Sequence, residues 1–132
     1  MGVQVRLTSK LPQIAAELRQ KARQLVQVTA FEIQADAMES MTGGRSGRLY
    51  GAHRASAPGE PPAIDTGLLA NTIGVMSGLG DTQGMSAIVF VNADYGMHLE
   101  FGTRHMAPRP FLRPAFDRAE PGFEAGVRSL LP

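Results

Sequence analysis

Cysteine is absent from the 132 residues. No disulfide, thiol nucleophile or cysteine-held zinc or iron–sulfur centre is therefore available, and the composition fits a reducing compartment. Tryptophan is also absent and tyrosine occurs only twice. The core must come from Leu, Ile, Val, Met and Ala, and few aromatic rings are available for stacking on unpaired bases. No apolar run approaches the ~18 residues of a membrane span, and Met1 to Leu7 lacks the apolar stretch of a secretory signal, so no membrane association is expected. A charge excess is missing too. The net charge is +1, which weighs against a dedicated nucleic-acid binder.

What is present is a globular composition, 43% hydrophobic and 19% charged, of a length that suits one domain over 1–132. The charge is unevenly placed. Between Ala55 and Thr103 there is no Lys or Arg, while Glu60, Asp65, Asp81, Asp94 and Glu100 are acidic. Positive charge flanks this block, mostly as arginine, which suits bidentate pairing at interfaces better than lysine. Two readings are open: a solvated surface with uneven charge, or a subunit whose acidic region meets a neighbour's arginines.

Along the chain, Val3, Val5 and Leu7 alternate with polar residues and predict a half-buried strand. Ser9 is a fair N-cap, and Pro12 falls in the first turn of the helix that follows. Helical spacing of Leu11, Ile14, Leu18, Ala22, Leu25, Ile33, Ala37 and Met41 predicts one long helix from Leu11 to about Met41. Its basic front half and acidic back half run against the helix dipole, so packing must hold it. Thr42 to Ala63 is rich in Gly and Pro and reads as a long loop of the kind that carries function, with Leu49-Tyr50 able to pair as an edge strand.

Asp65 should cap a short helix. Gly74 to Met76 begins a strand, residues 80–84 form a hairpin turn, and Met85 to Val91 reads as a central strand. Asp94 should cap a short helix ending at Gly102. Thr103 to Pro110 is irregular and basic. A C-terminal helix starts near Pro110, and Pro121-Gly122 should break or kink it. The order predicts an α+β domain: a small, mostly antiparallel sheet against a long N-terminal and a C-terminal helix.

Signals for chemistry are weak. His53, His98 and His105 lie in different segments, and no His-Glu-x-x-His or Asp-x-Asp run occurs. The serines lack a nucleophile elbow. Gly43-Gly44-Arg45-Ser46-Gly47-Arg48 could cradle a phosphate through backbone N–H groups, but it lacks the Walker lysine. A small metal-dependent hydrolase using His98, Asp94 and Glu100, and a nucleic-acid-binding module using the arginine loops, are the alternatives to a structural role. The crowding of Tyr95, Leu99, Phe101, Met106, Pro108, Pro110 and Phe111 reads as local core or as an apolar subunit interface.

Three runs carry a family resemblance. Ala55-Ser56-Ala57-Pro58-Gly59-Glu60-Pro61-Pro62-Ala63 with Asp65-Thr66-Gly67-Leu68-Leu69 resembles the hallmark of the phage neck family. Its members are the head–tail connector, minor neck or tail-completion proteins of lambda-like siphophages. Tyr95-Gly96-Met97-His98-Leu99-Glu100-Phe101-Gly102-Thr103 is similar to its second signature, and Arg109-Pro110-Phe111-Leu112-Arg113-Pro114-Ala115-Phe116 to its third. The resemblance spans roughly Leu11 to Glu120. It implies a non-enzymatic virion protein at the head–tail junction, without cofactor or metal. It implies copies closed into a ring, next to other neck and tail proteins, through which genomic DNA passes.

A hexamer is expected on the tail side and a dodecamer against the portal. A closed ring needs two unlike surfaces on one chain. The expected subunit interface comprises Arg45, Arg48, Arg54, Glu60, Pro61, Tyr95, Glu100 and Phe101. Arg104, Arg109 and Arg113 form a segment that could face DNA.

Overall fold

The computed structural model describes residues 2–42, 45, 47, 49, 50, 53–62, 71–77 and 85–131. The long N-terminal helix, α1, runs Leu11–Ser40. Its start follows from local chemistry: Pro12 sits in the first turn, and the Leu11 N–H donates to Ser9 Oγ at 3.2 Å. No acid occupies the first turn and no base the last. The dipole is left uncompensated, and tertiary packing supplies what it does not.

Two short strands, β1 (Leu49–Tyr50) and β2 (His53–Arg54), pair as a small antiparallel hairpin within the Gly/Pro segment. The strand expected near Leu49 is thus present. The main ladder joins β3 (Ile73–Ser77) to β4 (Ala87–Val91), antiparallel, with Ile73 opposite Val91 and Ser77 opposite Ala87. A short helix α2 (Gly96–Phe101) and the C-terminal helix α3 (Leu112–Leu130) complete the order. The architecture is α+β, as the sequence predicts.

The core forms where α1, α3 and the ladder meet. Ile33 and Ala37 from the back half of α1, with Met41 at its C-cap, pack with Ile73, Phe111 and Ala115. Gln34 ties the layers by donating to the Ile73 carbonyl at 2.8 Å. Across the two long helices Arg118 grips Asp36 with two bonds, Nε to Oδ2 at 2.7 Å and Nη2 to Oδ1 at 3.0 Å. The hydrogen bond to Asp36 pushes the Arg118 guanidinium further above its already high pKa. Both side chains are half exposed, so the pair fixes helix register more than it adds stability.

Several expectations need correction. Residues 3–7 form no strand, and Val3, Val5 and Leu7 stand in solvent. Alternation specifies a strand only when a partner strand is within reach, and among the described residues this segment pairs with none. β4 is not central: among the described residues it pairs with β3 alone, and Ile88 is half exposed. Asp94 does not cap α2, whose N-cap is Tyr95 with no side-chain bond. Pro121 lies inside α3, and the helix continues through Gly122 to Leu130. The helix at Asp65 and the turn at 80–84 lie outside the described residues.

Phe111 is 1% exposed and Phe101 75%. Phe111→Ala should therefore cost about 3–5 kcal/mol. Phe101→Ala should stay within about 0.5 kcal/mol in the monomeric chain. Urea denaturation of both variants checks this; equal losses would mean the core is misassigned.

Candidate functional site

Two irregular segments meet beside the start of α3. The first turns at Ala57-Pro58-Gly59-Glu60. The Glu60 N–H donates to the Ala57 carbonyl at 3.0 Å, and Gly59 has φ +85°. Pro at the second position and Gly with positive φ at the third are what a type II turn demands. The Glu60 carboxylate accepts from the Ala57 N–H at 2.9 Å and locks the turn. The Gly59 N–H then donates to the Pro108 carbonyl at 2.9 Å. The Pro/Gly segment is therefore docked onto the second irregular segment.

That second segment leaves α2 through Gly102, with φ +77°, where a Cβ would lie 2.9 Å from the Met106 carbonyl oxygen and the Pro108 ring. A tight turn follows, closed by Thr103 and Met106. Arg109 clasps the two segments: its Nε donates to the carbonyl of the buried Ser56 at 3.1 Å, and its own N–H donates to the Leu99 carbonyl at 2.6 Å. Arg45 performs a similar task at the other end, donating to the carbonyls of Ser40 and Pro62. Arg45 and Arg109 thus both have intramolecular partners.

Glu100 holds the arrangement together. Its Oε2 accepts from the N–H groups of Phe111 at 2.9 Å and Leu112 at 3.0 Å, and Oε1 from Arg113 at 2.7 Å. The first N–H groups of a helix have no partner within it. Here a carboxylate from α2 fills that role, in charge-assisted bonds and at the end of the helix dipole that favours a negative charge. Sequence reading missed this: a cap contributed from eleven residues upstream leaves no local signature. The Pro58-Gly59 turn and its docking on Pro108 were not read from the sequence either.

Tyr95 and Phe101 are exposed, and Pro61 is half-buried next to Glu60. Arg104 stands exposed on the turn after α2. Arg113 is exposed but paired with Asp117 at 2.9 Å and placed 5.4 Å from the centre of the Phe116 ring. Arg54 belongs to β2, and Arg48 lies outside the described residues. Of Arg104, Arg109 and Arg113, two are thus engaged within the chain, Arg109 with Ser56 and Arg113 with Asp117. His98 and Glu100 share α2, and Asp94 precedes it. Among the described residues no group of three His, Asp or Glu could hold a metal ion.

An open groove of about 1140 Å³ lies beside these elements. Its floor and walls come from α1 (Val26, Ala30, Ile33), the length of β4, α2 (Met97, Phe101) and α3 (Phe116, Phe123). Consecutive β4 residues Ala87, Ile88 and Val89 all contribute. The groove therefore runs along the strand's edge, since successive side chains point to opposite faces. Met97, Phe101, Ile88 and Phe116 are exposed on it. No helix among the described residues is long and apolar enough to cross a membrane.

Glu100→Ala, leaving three helix N–H groups without their acceptor, should lower stability by about 1–3 kcal/mol. Glu100→Gln, which keeps an acceptor oxygen, should lose less. Thermal unfolding monitored by circular dichroism measures both, and an unchanged Glu100→Ala variant would contradict the cap.

No curated protein and no solved structure was found to match the chain. The family model described as "Bacteriophage HK97-gp10, putative tail-component" matches residues 6–102, which takes in α1, both strand pairs and α2 with its Glu100. With most of its length covered by that match, the chain belongs to the HK97-gp10-like family of bacteriophage tail components.

Proposed function

We propose that the chain is a ring-forming structural subunit at the head–tail junction of the virion, in a neck, tail-completion or tail-terminator position, with no catalysed step and no cofactor. Beyond family membership, the observation that carries this reading is the exposed apolar groove along β4. Exposed Met97, Phe101, Ile88 and Phe116 around one concavity mark a surface built to be covered by protein. A ring closes through a head-to-tail contact between unlike surfaces, and the chain offers an apolar groove on one side with polar, arginine-bearing loops elsewhere.

Within this reading the subunit contact includes Tyr95 and Phe101 beside the groove. Arg48 and Arg54 of one copy pair with acidic residues of the next. Arg45, Glu60 and Glu100 act behind the contact by fixing the loops and helix that present it. Hexameric symmetry fits a seat on the tail tube; a dodecamer fits contact with the portal complex. DNA crosses the lumen transiently. Arg104, the arginine of its segment neither clasped nor ion-paired in the structure, is the one we place nearest to it.

Native mass spectrometry of the purified chain, alone and with isolated tail tubes, tests the ring. A single closed stoichiometry of six copies is expected. A chain that stays monomeric in both settings, or forms open-ended filaments, contradicts it. Arg48→Glu with Arg54→Glu should cut the assembled fraction at least tenfold while leaving the circular dichroism spectrum unchanged; undisturbed rings would count against that pairing. DNA retention on filters should be weak and should fall steeply between about 50 and 200 mM salt.

A further inference from the structure

The groove and the segment before α1 have complementary deficiencies. β4 has a free edge: among the described residues its backbone pairs with β3 and with nothing else. Residues 2–8 belong to no helix or strand and make no hydrogen bond to the rest of the described chain, and Val3, Val5 and Leu7 are 94%, 80% and 95% exposed. An unpaired strand edge lined with apolar side chains templates another strand. An alternating apolar segment with unpaired backbone is the kind of strand that such an edge accepts.

We propose that residues 3–7 of one copy add as a strand to the free edge of β4 in a second copy, with Val3, Val5 and Leu7 seated in the groove. The inference deepens the ring reading and rests on it for the identity of the partner. Length agrees, for Val3 to Leu7 matches the five residues of β4. Charge agrees as well. The segment carries Arg6 and Lys10, while the groove is lined by Glu120 and Glu124 against Arg113, itself paired with Asp117.

Reach decides between self and neighbour. The first α1 residue lining the groove is Val26. About 22 Å of helix separates it from Leu11 at ~1.5 Å rise per residue. Stretched fully, the chain from Leu11 back to Leu7 spans at most ~14 Å. Leu7 falls short of that point in its own chain, so seating all three apolar side chains in one groove takes a strand from another molecule. A strand that leaves one subunit and pairs in the next is a head-to-tail contact, the type that closes a ring.

The chain's lack of cysteine makes the test clean. Val5→Cys and Ile88→Cys are made as separate single variants, mixed and oxidised, and also combined in one chain. The expected result is a disulfide-linked heterodimer in the mixture, well above the homodimer background of each variant alone. The double variant should give linked multimers. Separately, Val5→Asp with Leu7→Asp, confirmed folded by circular dichroism, should lower the assembled fraction at least tenfold. A double variant that closes its disulfide within a monomer overturns the proposal. So does a mixture that gives no heterodimer, or full assembly by the Asp variant. Rings that persist in the Asp variant sink this contact and spare the ring reading. A heterodimer cross-link in a species that is only ever a dimer spares the contact and sinks the ring.

Discussion

The constraint on which the rest depends is the capture of the first N–H groups of α3 by the Glu100 carboxylate. The bond set joins two helices that local sequence would leave independent. It places Phe111 in the core, which seats Ala115 against α1, and from there the Arg118–Asp36 bonds set the register of the two long helices. It also holds α2 at a fixed distance from α3, so that Met97 and Phe101 stand on one side of a groove and Phe116 and Phe123 on the other. A carboxylate at this position thus shapes the apolar surface without facing a partner itself.

Around this cap the irregular segments act as ties. The Pro58-Gly59 turn, locked by Glu60, rests on Pro108, and Arg109 binds the Ser56 carbonyl from the other side. Arginine and glutamate serve here because each satisfies backbone groups that loops leave unpaired, a need that grows with loop length. Through that turn the Pro/Gly stretch acts as a buttress against the second irregular segment.

Much of the helical structure was legible in the sequence, because a long apolar period needs no distant partner to reveal it. α1 from Leu11 and α3 from just after Pro110 follow from spacing and from proline position. Pro121 misleads, since a helix already held on both sides of it by packing tolerates the missing N–H. Strands were legible only in part. Val3, Val5 and Leu7 alternate as a strand does but pair with nothing among the described residues, and the apolar run at β4 reads as central although among those residues it pairs with β3 alone. The candidate site was the least legible part. Tyr95 and Phe101 were recognised as an apolar cluster, but the arginines and glutamates assigned with them to a subunit contact are, in three cases, bonded within the chain: Arg45, Glu60 and Glu100. Residue type reports that a side chain bonds strongly; it does not report whether its partner lies in the same molecule.

Hydrogen exchange at the amides of Phe111, Leu112 and Arg113 tests the central claim most directly. The first amides of a helix ordinarily exchange quickly, having no intrahelical acceptor. Slow exchange at these three is predicted in the native chain, lost on replacing Glu100 by alanine while the amides in the middle of α1 keep their protection. Fast exchange at all three in the native chain would contradict the account.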